Sequence, residues 1–297
     1  MSKAFHIISD GSCDLSPEIV QETGITVVPF YVSFDDEHYL KEIQEIGIRD
    51  FYQQMVDNPK VFPKSSMPSV QDYIDAFMPW VEQKIPVVCI CITAKFSGSV
   101  QSAANAARQI LEEHPDAQIQ VIDSTVDTVL QGQLVLEVVN MQRRGFTYEQ
   151  TIKRIEEIKG TGRIFFTVGS LDYLIHGGRI GKVAAVAGSI LGIRPIITLK
   201  EGEIFASGVG RSRKTTLNHV LELMIKYLKD VREDVSDYSF SVGYGYDYEE
   251  AVVFQERILE ALQGRVKREE VPIRQIGATI SVHTGPYPLG LGVIRKA

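Results

Sequence analysis

Residues 87–92 read Val-Val-Cys-Ile-Cys-Ile and carry no charged or amide side chain on either face of an extended chain. A strand that is apolar on both faces must be covered on both, as a central strand is in a parallel sheet flanked by helices. The flanking sequence agrees. The short apolar run 4–9 ends in the polar turn Asp10-Gly11-Ser12-Cys13-Asp14, where turn and capping duties account for the polar side chains. Ser16-Pro17-Glu18 then offers an N-cap, a first-position proline and a first-turn acid. Residues 25–34, rich in β-branched and aromatic side chains, read as one strand. Ser69-Val70-Gln71-Asp72 resembles a capping box opening a helix through Trp80. Helices over 98–113, 126–143 and 148–159 and a strand over 118–123 complete an alternation that implies βαβ units.

Past Gly160 and Gly162 the pattern changes. A strand is expected over 163–168 and short helices over 171–176 and 183–191. A hairpin turns at Lys200-Glu201-Gly202. A long amphipathic helix follows over 214–231, then strand, helix and strand over 238–245, 249–262 and 273–276. His283 is placed at the end of an apolar strand, and 291–295 is a last strand. The expected fold class is α/β with two domains: an N-terminal parallel α/β sheet domain, 1–161, and a C-terminal mixed α/β domain, 162–297. A ligand is expected between them, since interdomain clefts commonly hold one.

The net charge of -7 argues against a nucleic-acid backbone as main partner, which Lys and Arg would have to neutralise. Three cysteines give no disulfide framework, and Cys89 and Cys91 read as buried, reduced thiols. No second Cys or His pair stands at zinc-ligand spacing. The N-terminal apolar run is too short for a signal peptide. The nearly uncharged stretch 183–199 is broken by Arg194-Pro195 and is short for a bilayer span. A soluble, cytoplasmic protein without stable membrane insertion is expected.

Catalytic signatures are missing. There is no phosphate-binding loop of the G-x-x-x-x-G-K-[ST] type, no complete dinucleotide fingerprint around Gly243-Tyr244-Gly245, no H-E-x-x-H and no nucleophile elbow. What remains are polar pieces at strand–helix junctions or glycine-rich turns. Ser97-Gly98 follows the apolar strand and opens a helix, where free N–H groups and the carboxyl ends of strands favour an anion; it also reads as a plain helix cap. Ser65-Ser66-Met67-Pro68-Ser69 reads as a polar loop before a helix. Arg179 follows Gly177-Gly178, and its planar fork suits a carboxylate. His283 could donate to an acid head, pass a proton, or be a satisfied core residue. Anion-binding groups beside the apolar stretch 183–199 suggest an amphiphile with an acidic head, with that stretch as tunnel wall or ordinary core. Ser97 with His283 as a serine hydrolase or acyltransferase is the alternative. A regulatory domain sensing another small acid is a third.

Taken together the pieces resemble the DegV family, the fatty-acid-binding subunits of bacterial fatty acid kinase. The resemblance is carried in order by Asp10–Leu15, Ser65–Ser69, Ser97–Ala103, Asp123-Ser124, Gly177-Gly178-Arg179-Ile180, Arg194–Ile197, Arg211–Lys214 and His283-Thr284-Gly285-Pro286. Met67, Val100 and Tyr287 depart from it, standing for a glutamine, a tyrosine and a glycine. The resemblance implies two domains with a fatty acid between them and a carboxylate held by Ser65, Ser66 and Ser97, with Arg179 and His283 nearby. It implies no cofactor and no catalysis by this chain. The implied partners are a long-chain fatty acid, the kinase's catalytic subunit through Arg211 and Arg213, and an acyl-phosphate acyltransferase feeding phospholipid synthesis. Burying roughly a dozen methylenes at about 0.8 kcal/mol each would supply around 10 kcal/mol before association costs.

Overall fold

A computed structural model describes residues 5–184 and 194–297. The first half supplies β1 (His6–Asp10), α1 (Pro17–Thr23), β2 (Thr26–Val28), β3 (Tyr31–Ser33), β4 (Leu40–Lys41), α2 (Ile48–Asp57), β5 (Lys64–Ser66), α3 (Val70–Val81), β6 (Val87–Cys91), α4 (Ser99–Glu113), β7 (Ile119–Asp123), α5 (Thr128–Arg143) and α6 (Tyr148–Lys159). The second supplies β8 (Arg163–Thr167), α7 (Asp172–His176), β9 (Arg194–Lys200), β10 (Glu203–Gly210), α8 (Arg213–Val231), β11 (Tyr238–Tyr244), α9 (Tyr248–Ala261), β12 (Ile273–Gln275), α10 (Ala278–Thr284) and β13 (Leu289–Arg295).

The apolar run 87–92 is the buried strand its composition requires. β6 sits inside a parallel sheet of order β2-β1-β6-β7, with all five of its residues buried. One face packs on α3 and α4 through Tyr73, Phe77, Ala103 and Ala106. The opposite face meets α5 and α6, which also support the second sheet, of order β10-β9-β8-β13-β11-β12. α8 and α9 cover the far side of that sheet. The chain is therefore layered helix, sheet, helix, sheet, helix, with α5 serving both sheets. That explains why α5 is buried nearly all round. Its buried polar side chains are paired: Gln131 donates to Asp10 at 2.7 Å, Glu137 accepts from Ser239 Oγ at 2.6 Å, and Thr128 donates to Asp14 at 2.5 Å.

Three local readings are corrected. Residues 25–34 form two strands in different sheets, because Pro29 cannot donate to a ladder and interrupts the run. Ser65 and Ser66 lie on β5 of a small antiparallel sheet, β4-β3-β5, rather than in a loop. His283 lies near the end of helix α10, not on a strand. The β-branched residues of this segment suggest an extended chain, but the helix buries Ala278, Ile280 and Val282 together. Residues 185–193, most of the expected tunnel wall, lie outside the described residues. Its described ends, Val183, Ile196, Ile197 and Leu199, are buried in the hydrophobic cores.

The hairpin at Glu201-Gly202 is present, with φ of 54° and 81° at the two turn residues. Ser16, and Ser69 with Asp72, cap α1 and α3 as their spacing suggests.

Candidate functional site

Strand order sets the location. The chain runs from β1 outward to β2 on one side and from β6 outward to β7 on the other, so direction reverses between β1 and β6. Crevices at the carboxyl ends of such a strand pair are where open α/β sheets place ligands. At this reversal Asp10 ends β1 and is fully buried. It accepts hydrogen bonds from Ser12 Oγ at 2.6 Å, Ser99 Oγ at 2.6 Å, Gln131 Nε2 at 2.7 Å and the Ile92 amide at 3.0 Å. Burial pushes its carboxyl up, and the four bonds partly offset this. The result ties β1, β6, α5 and the start of α4 to one point, and so fixes Ser97 and Gly98 at the crevice.

The crevice is a cavity of about 270 Å³. Ser65, Ser66, Ser97, Arg179 and His283, which come from four separate segments, all line it. Met67, Phe96, Asp127, Phe166 and Ile280 also contribute to its wall. Ser65 Oγ and His283 Nε2 lie 3.3 Å apart, across 218 residues of sequence. Gly98, not Ser97, stands at the N-cap of α4, and Ser97 Oγ on the cavity wall accepts from the Ser99 amide at 3.2 Å in the turn before it.

The two glycines before Arg179 have separate roles. Gly178 adopts φ +66°, and Gly177, with φ -75°, gives room to His283. Arg179 is exposed. Its Nε and Nη2 donate to the Phe96 carbonyl at 3.0 and 2.9 Å, and its Nη1 donates to the Gly177 carbonyl at 3.0 Å. The guanidinium thus clasps two loops from different halves of the chain at the cavity rim. Burial first, and the Arg179 charge second, push the His283 imidazole down to about 4. It is therefore neutral at pH 7, and its Nδ1 is buried with no hydrogen-bond partner. A relay from Ser97 through His283 to a carboxylate is not assembled: the ring faces Ser65, and no described acid holds Nδ1.

The sequence reading missed Asp127, Phe166 and Ile280. They also line a small, largely apolar recess of about 30 Å³ that shares these residues with the cavity and includes Val129, Ile164 and Leu291. Ile164, Phe165 and Phe166 form a continuous apolar run in β8, and nothing in it marks which core side chains leave a gap between them. Of the departures from the family pattern, Met67 borders the cavity beside Gly98, whereas Tyr287 lines a separate groove and Val100 lies against the α3–α4 core. Arg211 is exposed, and Arg213 is held by Glu250 through two bonds of 2.8 and 2.7 Å. Among the described residues, no group of three or more His, Cys, Asp or Glu could hold a metal ion, and no helix is long and apolar enough to cross a membrane.

Fold and cavity together define a layered α/β protein with a polar mouth and an apolar interior recess between two sheets. The sequence profile of the DegV family, described as an uncharacterised protein family, matches residues 4–296. The chain belongs to the DegV family. A DegV domain-containing protein of Clostridium acetobutylicum is 32% identical over 98% of each chain. A solved structure described as a stearic acid-binding protein, from Eubacterium ventriosum, is 47% identical with a TM-score of 0.93 over 98% of both chains. Another, whose description is fatty acid binding of a DegV family protein from Thermus thermophilus, is 26% identical with a TM-score of 0.88, covering 98% of this chain and 99% of its own.

Proposed function

We propose that this chain binds a long-chain fatty acid. Its carboxylate sits among Ser65, Ser66, Ser97, Arg179 and His283, and its tail runs past Phe166 and Ile280 into the apolar recess. The observation that carries this reading is the meeting of those five side chains at the mouth of a cavity that continues into apolar surface. The fatty acids named for the Eubacterium and Thermus relatives support it. Tail burial supplies the affinity, and the mouth satisfies a carboxylate that would be costly to bury unpaired. Native mass spectrometry of the purified protein should find one long-chain acid per chain. A protein that is empty, and stays so when long-chain acids are added, would overturn the reading.

The chain acts as a carrier in the cytoplasm. It presents the acid to the catalytic subunit of a fatty acid kinase for acyl-phosphate formation, and an acyltransferase then passes the acyl group to phospholipid synthesis. The exposure of Ser66 and Arg179 supports this, because it leaves the acid end within reach of a partner. Arg211 is the better of the two expected partner contacts, since Glu250 occupies Arg213. ATP-dependent acyl-phosphate formation by such a kinase should require this protein, and kinase turnover indifferent to it would refute the carrier role. The pairing of His283 with Ser65, and the unpartnered Nδ1, speak against Ser97 as a hydrolytic nucleophile. Labelling of Ser97 by a fluorophosphonate would reverse that judgement.

A further inference from the structure

Asp127 is one residue in the binding cavity that an unsubstituted fatty acid leaves unexplained. It stands at the N-cap of α5, where an aspartate ordinarily accepts a bond from an amide two or three residues on. It makes no such bond. It is 9% exposed, and no described residue donates to its carboxyl. Thr128, the nearest hydroxyl in sequence, donates to Asp14 instead, and Thr284 donates to the Ile280 carbonyl.

Asp127 also occupies a particular place. With Phe166, Ile280 and Thr284 it is common to the outer cavity and the inner recess, so it borders the neck through which a tail must pass. A bare carboxylate there would face methylene groups, and burial already lifts this carboxyl to about 7. Buried polar groups are normally hydrogen-bonded, and one that faces a cavity without a partner in the chain is open to a water or to a polar group of the ligand. An acyl chain can bring such a partner to the neck only as an oxygen substituent beyond its acid head.

We propose that the Asp127 carboxyl receives a hydroxyl carried partway along the acyl chain, so that the preferred ligand is a hydroxylated long-chain acid. The inference rests on the fatty-acid reading above. A carboxyl matches a hydroxyl because it can accept that group's proton and, when itself protonated, donate to its oxygen. A site built to bond a hydroxyl discriminates against a ligand without one, because the buried group is then left unpaired.

The test is a competition of stearic acid against hydroxystearic acids that differ in the position of the hydroxyl. Wild-type protein should bind one positional isomer at least tenfold more tightly than stearic acid. Asp127→Val, which gives the neck an apolar wall, should reverse that order. Asp127→Asn, whose side-chain carbonyl still accepts, should keep it. Wild-type protein that ranks stearic acid level with or above every isomer overturns the inference and leaves fatty-acid binding standing. Retention of the hydroxyl preference by Asp127→Val overturns it equally. Failure of every long-chain acid to bind removes both readings. Should Asp127→Val fail to fold, the wild-type ranking decides alone.

Discussion

Gly177→Ala tests whether the placement of His283 matters to the grip on the acid. A Cβ at position 177 would stand 2.9 Å from His283 Cε1 and 3.0 Å from the Tyr173 carbonyl oxygen, and closer still to His283 Nδ1. The backbone there has φ -75° and ψ -5°, which alanine adopts freely, so the effect is steric alone. The imidazole has to give way, because the carbonyl belongs to the backbone of α7. Overpacking of this kind costs about 1–3 kcal/mol. If about half of the upper figure falls on the mouth, by drawing Nε2 away from Ser65 and shifting the carbonyl that Arg179 uses, fatty-acid affinity drops roughly tenfold.

The neighbouring substitution is the control. Gly178 has φ +66° with no atom within 4 Å of an added Cβ, so Gly178→Ala should cost about 1–2 kcal/mol of folding stability through backbone strain alone. Its affinity should stay within about twofold of wild type. Calorimetric titration with stearic acid, beside urea unfolding of both variants, separates the two effects. Equal affinity of Gly177→Ala and wild type, or an equal loss in Gly178→Ala, would show that the imidazole position is not what holds the head group.

Asp10→Ala removes the acceptor of four buried bonds, and at about 1 kcal/mol each should destabilise the chain by roughly 4 kcal/mol in urea; a loss below about 1 kcal/mol would contradict the linking role given to this carboxyl. The depressed His283 value means that its share of stability is present above pH 6.5 and disappears as pH falls toward 4. The amount is on the order of 3 kcal/mol, so His283→Gln should flatten that acid arm relative to wild type, and parallel curves would refute the assignment. Arg179→Ala breaks the clasp between the Phe96 and Gly177 carbonyls at an exposed position. It should change folding stability by no more than about 1 kcal/mol while speeding ligand release about tenfold, and an unchanged dissociation rate in stopped flow would count against it.

How much of this could be read from sequence depended on the range of the governing interaction. β6 was legible because six consecutive residues report their own burial. Caps at Ser16 and Ser69 were legible because partner and donor lie three residues apart. The split at Pro29 is hidden by the β-branched runs on both sides of it, which each favour an extended chain. α10 was misread because its β-branched side chains favour a strand, and only packing against its neighbours, α7 first and then α2, β3 and β5, makes it helical. For the site, chemistry and order along the chain singled out Ser65, Ser66, Ser97, Arg179 and His283. Their distances were not legible, because the contact of Ser65 with His283 spans nearly the whole fold. Asp127 was invisible as a cavity residue: the sequence places it in the first turn of a helix over 126–143, and only the geometry puts it ahead of α5, where it caps nothing.

The position of β13 bears on biosynthesis. It lies between β8 and β11, in the middle of the second sheet, although it is synthesised after every other strand. A nascent chain that has emerged only as far as β12 would therefore have two half-sheets with exposed flanks and no completed lipid pocket. Ribosome-held intermediates should bind no fatty acid and should depend on chaperones to shield those flanks.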